Sequence, residues 1–401
     1  MPALKLKEGL YSVGVMNPNL RVFDIVMNAD YGTTYNSFII KDEKTALIET
    51  CHKTFWEEYL ENIRAVTPLD KIDIIVLNHT EPDHSGVLRM LSELCPNAEI
   101  YCTKAASVYL KAITNRGDLK VNVVPPSGMT ISLGKTSLEF ISAPFLHWPD
   151  SMFAYAKELK TVFTCDFLGA HYCEPRMLDT KIIYPDCYKK EFRSYYEGIF
   201  APFKPYVLAG LEKLKNLDYD MACVSHGPVL TEEGLLPYTK EKYLEWSTPE
   251  VGPAVIPVFY CSAYGCTRAL AEEAVKTIKA AYPEAVSEAY DIIKHPMGEL
   301  CEILNKSAGF MIGSPTLNKD AVAPAWNLLA ALDVINMQKK PIGVFGSYGW
   351  SGEGVPSMVG RLKGLRLNVI GEGYKANLVP SEDELQGMTA YTEEFIKALK
   401  I

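Results

Sequence analysis

A chain of 401 residues is too long for one ordinary domain and fits two. Hydrophobic residues make up 48% and charged residues 22%, so each half can bury a core. The net charge of −9 repels phosphate backbones and acidic lipid surfaces, so neither nucleic acid nor membrane is expected as a partner.

The opening stretch, MPALKLKEGLYSVGV, lacks the apolar core of a signal peptide. No apolar run reaches the roughly 18 residues that a membrane span needs, so a cytoplasmic chain is expected. Short strands follow in hairpin style. SFIIKD and KTALIET flank Asp42-Glu43-Lys44, and Tyr155-Ala156 and Thr161-Val162-Phe163 flank Lys157 to Lys160. Helices are expected over Phe55 to Val66, Val87 to Leu94 and Glu191 to Leu214. Sheets with helices outside predict a sandwich for residues 1–250. Ser247 to Pro253, rich in proline, glycine and small polar residues, is a linker.

Beyond it strand and helix alternate strictly. VIPVFY, VSEAYDI, GFMIGS, PIGVFGS and LNVIGEG read as strands. Thr267 to Ala281, Met297 to Asn305, Ala321 to Leu332, Val355 to Leu362 and Glu382 to Leu399 read as helices. Residues 251–401 are therefore expected to form a doubly wound parallel sheet.

The densest chemistry is Asn78-His79-Thr80-Glu81-Pro82-Asp83-His84-Ser85-Gly86, after the apolar strand IDIIVL. If this loop is extended, His79, Glu81 and Asp83 point one way. Imidazole with carboxylate and no thiolate suits iron, manganese or zinc, and structural zinc sites usually use cysteine. The ten cysteines include no C-x-x-C pair, so no rubredoxin- or ferredoxin-type module is present. His147 after LEFISAP, Asp166 after TVFTC and His226 after MACVS each stand just past a strand, and strand ends at one sheet edge converge. His171, and Tyr195 on an aromatic helix, are candidates for the surrounding pocket.

Three βα loops of the second half form another set. Ser262, Ala263, Tyr264, Gly265, Cys266 and Thr267 join the first strand to its helix, where hydroxyls and backbone N–H groups make an anion site. Ser314, Pro315, Thr316, Leu317 and Asn318 follow the third strand. Ser347, Tyr348, Gly349, Trp350 and Gly352 follow the fourth, with Trp350 able to cover an apolar ring. Neither G-x-G-x-x-G nor a Walker lysine is present, so the monophosphate of FMN fits better than NAD or ATP.

The pattern H-x-E-x-D-H followed by single His, Asp and His resembles the metallo-β-lactamase fold family, whose hydrolases usually carry H-x-H-x-D-H and two zinc ions. Glu81 stands at the second histidine position. With a flavodoxin-like domain attached, the whole chain resembles the flavodiiron proteins of the A type. The resemblance implies an αββα sandwich with a non-haem di-iron site, and a flavodoxin-like domain holding FMN. It implies one iron on His79, Glu81 and His147 and another on Asp83, His84 and His226. Asp166 would bridge them, and His84 is the ligand that some members leave free. It further implies reduction of O2 to water or NO to N2O, with Tyr195 and His171 near the reaction. A head-to-tail homodimer, or a dimer of such dimers, would bring one subunit's FMN to the other's irons. Electrons would come from a separate donor such as rubredoxin, a deazaflavin or a flavin reductase. A zinc hydrolase fused to a flavodoxin and a metal-free electron carrier are the competing readings. Metal analysis separates all three.

Overall fold

Strict alternation of side chains along the N-terminal strands builds two facing sheets. One has seven strands in the order Leu4–Lys7, Leu10–Ser12, Phe38–Lys41, Thr45–Ile48, Ile72–Val76, Glu99–Thr103 and Val121–Val124. The other has six: Met129–Ser132, Ser137–Ser142, Met152–Ala156, Thr161–Cys165, Met221–Val224 and Leu230–Thr231. The computed structural model describes residues 3–249 and 251–400, and the chain divides into two compact units after Pro249.

Phe38, Ile40, Ala46, Ile48, Ile74 and Val76 of the first sheet meet Phe140, Met152, Ala154 and Phe163 of the second in one apolar layer. The alternate residues Ile39, Leu47 and Ile75 face outward onto Tyr59, Ile63 and Leu91 of the helices Trp56–Arg64 and Leu88–Leu94. On the far side Phe153, Tyr155 and Val162 pack on Tyr188, Phe192, Val207 and Tyr243. The period of two thus gives each central strand two apolar faces, and the layers read helix, sheet, sheet, helix.

Both expected hairpins form, with Phe38 opposite Ile48 and Ala156 opposite Thr161. The helix expected over Glu191 to Leu214 does not run through. Pro185–Tyr195 and Lys204–Lys215 are α-helical, and the wide turn Tyr196–Phe200 and the tight turn Ala201–Phe203 separate them. Pro202 and Pro205 lack the N–H that a continuous helix needs and start new turns instead.

The second unit has parallel strands in the order Ala289–Asp291, Val258–Tyr260, Phe310–Gly313 and Pro341–Tyr348, flanked by Asn368–Val369 and Tyr374–Asn377. In chain order this is 2-1-3-4-5, the flavodoxin-like arrangement. Helices Cys266–Ala281 and Glu382–Ala398 cover one face, through Leu270, Ala274, Met388 and Phe395. Leu300, Leu328, Met358 and Leu362 of the helices Met297–Lys306, Ala323–Ala330 and Gly354–Gly364 cover the other. The fifth strand departs from the expected LNVIGEG. It breaks after Val369, where Gly371 and Gly373 take φ of +54° and +81°, and resumes at Tyr374. Glycine admits those angles at no steric cost, so the strand kinks there and extends four residues further. Among the described residues no helix is long and apolar enough to cross a membrane.

Candidate metal centre and flavin cavity

The strand Ile72–Val76 ends under the cluster loop, and the loop is not extended throughout. Pro82 opens a one-turn helix, Pro82–Ser85, so Asp83 and His84 turn away from His79 and Glu81. Four loops meet here, and they come from both sheets rather than from one sheet edge. His79 to His84 follow a strand of the first sheet. His147, Asp166 and His226 follow Ser137–Ser142, Thr161–Cys165 and Met221–Val224 of the second.

The seven side chains sort into two groups around one carboxylate. His79 Nε2 is 3.2 Å from Glu81 Oε2 and 3.6 Å from Asp166 Oδ2. His147 Nε2 is 3.3 Å from Glu81 Oε2 and 3.5 Å from Asp166 Oδ2. On the other side, Asp166 Oδ1 lies 3.1 Å from His84 Nε2 and 3.4 Å from His226 Nε2. Asp83 reaches His84 Nε2 at 3.4 Å and His226 Nε2 at 3.1 Å. Asp166 therefore turns one oxygen to each group.

Both oxygens of Asp83, both of Asp166 and Nε2 of His84 are buried, and none makes a hydrogen bond among the described residues. Polar atoms crowded together in this way without hydrogen bonds are a ready set of donors for cations. Buried charge of this kind is costly without a compensating cation. Hard carboxylates with imidazole and no thiolate match iron, so the residues fit a pair of such ions.

The protonation pattern agrees. Burial works against charge on His84, but Asp83 and Asp166 outweigh it and push the imidazole up to about 10. Burial would also raise Asp166, yet His84 and His147 hold it well below the carboxylate range. Glu81 is held low in the same way by His147 and His79. Without metal His84 is held as imidazolium against Asp83 and Asp166, and a divalent cation would take the place of its proton.

A second layer orients the first. Asp150 Oδ1 is 3.0 Å from His79 Nδ1, while its other oxygen accepts from the N–H and hydroxyl of Thr80 at 2.9 and 2.6 Å. His226 Nδ1 lies 2.7 Å from the carbonyl of Thr34, which can only accept. Both rings thus carry their proton on Nδ1 and leave Nε2 free for a metal. Glu49, also buried, sits behind His84 beside Cys165. Burial pushes it up to about 8.

Tyr195 and His171 both stand at the centre, with ring centroids 4.8 Å apart and His171 5.0 Å from His226. The Tyr195 hydroxyl and His171 Nε2 are buried without a hydrogen-bond partner. Burial and the nearby His226 keep His171 neutral. Sequence reasoning missed Asp150, Thr34, Glu49 and the strip Val22–Asn28. There Phe23 stacks 4.1 Å from His171, and burial and Glu81 push Asp24 up to about 6. Asp150 carried a weak signal, since it stands three residues after His147; the others carried none.

In the second unit, a cavity of about 370 Å³ opens between the three expected loops. Ser262, Ala263, Tyr264, Cys266, Pro315 to Asn318, Ser347, Tyr348, Gly349 and Trp350 line it, as do Lys319, Ser351, Glu353 and Leu378, which sequence reasoning did not select. Gly265, Thr267, Ser314 and Gly352 do not line it. They shape the loops instead. Thr267 and Ser347 join hydroxyls at 2.8 Å, and Ser314 accepts from Val322 N at 3.0 Å. Gly265 takes φ +86° at the start of helix Cys266–Ala281 and offers no side chain to cap it. That helix start keeps N–H groups for an anion, so the cavity fits a flavin phosphate at that end.

Residues 33–227 match the ODP family beta lactamase. The chain is 48% identical to a flavo-diiron protein of Clostridium acetobutylicum, covering 100% of both. It is 32% identical to a nitric oxide reductase of Moorella thermoacetica, covering 95% of each chain. The solved structure of rubredoxin oxygen:oxidoreductase from Desulfovibrio gigas superimposes with a TM-score of 0.70 at 26% identity, over 99% of this chain and 98% of that one. The H-x-E-x-D-H loop, Asp166 with one oxygen toward each group, and this full-length similarity agree: the chain belongs to the flavodiiron proteins.

Proposed function

We propose that the chain passes electrons through FMN to a pair of iron ions and there reduces O2 to water or NO to N2O. The observation that carries this reading is Asp166, which faces His79 and His147 with Oδ2 and His84 and His226 with Oδ1. His79, Glu81 and His147 would hold one iron, Asp83, His84 and His226 the other, and Asp166 both. The cavity between the loops at 262–267, 314–319 and 347–353 would hold the FMN. FMN held there would supply electrons singly or in pairs, and iron held by these residues would supply the redox chemistry for a diatomic gas.

The chain's own residues supply the rest. O2 needs four electrons and four protons for two waters; two NO need two of each for N2O and one water. The Tyr195 hydroxyl keeps its proton, because burial raises its pKa far above 10. The Thr33 hydroxyl lies 3.0 Å from His171 Nδ1; when it donates there, the ring proton sits on Nε2. Both groups then carry a proton on a buried atom without a hydrogen-bond partner beside the cluster. Phe23, Tyr195 and Phe200 wall it with rings and keep bulk water out. The Nδ1 protons of His79 and His226, fixed by Asp150 and Thr34, hold the ligand rings in place.

Glu81 also sets this reading against zinc hydrolysis, since it puts a carboxylate where hydrolases of this fold place imidazole. The ten free thiols fit a reducing compartment, and we place the protein in the cytoplasm. A separate donor such as rubredoxin and a head-to-tail homodimer are supported by the family resemblance. The test counts iron and FMN in the purified protein, reduces it anaerobically and offers O2 and NO in parallel. Two irons, one FMN and gas consumption that Asp166→Ala abolishes are expected. A protein that takes up only zinc and consumes neither gas would sink the proposal.

A further inference from the structure

The loop after strand Phe310–Gly313 is a miniature hairpin. Thr316 pairs with Ala321 and Leu317 with Asp320, which leaves Asn318 and Lys319 as a two-residue turn. Both are left-handed, with φ of +52° and +62°. This is the type I′ turn, whose second position strongly favours glycine because a Cβ there crowds the backbone. Lysine occupies it instead, and it is one of the residues that line the cavity. A residue in an unfavourable backbone region at the wall of a site points from strain to use.

Three charged groups bear on this cavity. Glu353 lines it and bonds to Ser351 Oγ at 2.5 Å, and its other oxygen is buried without a partner. Lys375 lies 5.4 Å from the ring of Tyr348, itself a lining residue. Lys319 is the lysine that lines the cavity. The start of helix Cys266–Ala281, where Gly265 brings no capping side chain and Ser262 Oγ accepts from Arg268 N at 3.3 Å, marks the phosphate end. Lys319 stands on the next loop along the 2-1-3-4-5 order, where the ring system would extend.

We propose that Lys319 sets the redox potential of the bound flavin. Two electrons and one proton convert neutral FMN into a reduced ring with one negative charge. The ammonium of Lys319 offsets that charge, which Glu353 would otherwise oppose. The reduced flavin is therefore bound more tightly than the oxidised one, and its midpoint potential rises. The inference rests on the cavity being the flavin site.

The test uses the full-length protein reconstituted with FMN and, separately, with riboflavin, titrated with dithionite beside a reference dye. Lys319→Gly removes both the charge and the unfavourable turn residue, so thermal stability should hold or rise. Affinity for reduced FMN should nevertheless fall about tenfold more than for oxidised FMN, which is a midpoint lowered by about 30 mV for a two-electron couple. Lys319→Met should behave alike and Lys319→Arg should keep the potential. The shift should shrink as salt is raised. An unchanged midpoint in Lys319→Gly overturns the assignment. So does a loss confined to FMN and absent with riboflavin, which would place the lysine on the phosphate. Failure of the unsubstituted protein to bind either flavin would strike the flavin reading instead.

Discussion

His79 Nδ1 sits 3.0 Å from Asp150 Oδ1, and neither side chain has any solvent exposure. A carboxylate there holds the imidazole by its far nitrogen and makes Nε2 a better donor. Asp150→Asn keeps the shape and loses the charge. Iron should then leave to a competing chelator at roughly 10- to 100-fold lower concentration. Retention equal to that of the unsubstituted protein would show that the pair serves folding alone.

Because Asp166 faces both groups and Glu81 only one, the two acids should differ in what they lose. Asp166→Ala should empty both positions and Glu81→Ala one, read as iron per chain by elemental analysis. Equal losses from the two variants would contradict the bridging geometry.

Proton release follows from His84. Its ordinary value is 6.5, and in the metal-free fold Asp83 and Asp166 raise it against burial to about 10. A raised imidazole stabilises the metal-free fold fully below about 6.5, and that contribution disappears as pH climbs toward 10. Metal uptake must expel the same proton. Iron or cobalt added near pH 8 should acidify a weakly buffered solution, and affinity should climb with pH over this window. Denaturation of the metal-free protein across the range should show the opposite slope. Uptake without acidification would refute the paired-proton picture.

Tyr195→Phe deletes a buried hydroxyl that has no hydrogen-bond partner. Removing such a group costs the fold little, so melting temperature and iron content should be unchanged. If the hydroxyl donates a proton in the reaction, turnover should drop by about 100-fold or more under steady gas supply. Normal turnover would return Tyr195 to a packing role.

Gly346 lets strand Pro341–Tyr348 pass close to Ser314 and to helix Gly354–Gly364: a Cβ there would lie 2.2 Å from Ser314 O and 2.9 Å from Val355 Cγ2. Gly346→Ala should destabilise the second unit by about 1–3 kcal/mol. A lowered melting transition with weaker FMN uptake would show it, and a melting curve identical to that of the unsubstituted protein would not.

Much of this was legible along the chain because it is local. IDIIVL running into His79-x-Glu81-x-Asp83-His84 is a strand followed by a ligand-dense loop, and both are short-range facts. Strand–helix alternation after Pro253 depends on periodicity within single elements. The misreadings were local conflicts: Pro82 turned an extended loop into a helical turn, Pro202 and Pro205 broke a helix, and Gly371 and Gly373 split a strand. Lys319 escaped notice because a lysine in a glycine position has no signature until the pairing of Thr316 with Ala321 is known.

What the sequence determined alone is the donor chemistry and the division of the chain: imidazole and carboxylate rather than thiolate, loops without a dinucleotide fingerprint, and two folding units. Which side chain belongs to which group, and that Asp166 faces both, was decided by tertiary structure. The partners that settle it are distant in the chain. Asp150 lies 71 residues from His79, and Thr34 lies 192 from His226. Such contacts exist only once two sheets close on a shared apolar layer, and no local pattern of residues records where a facing sheet will place its loops.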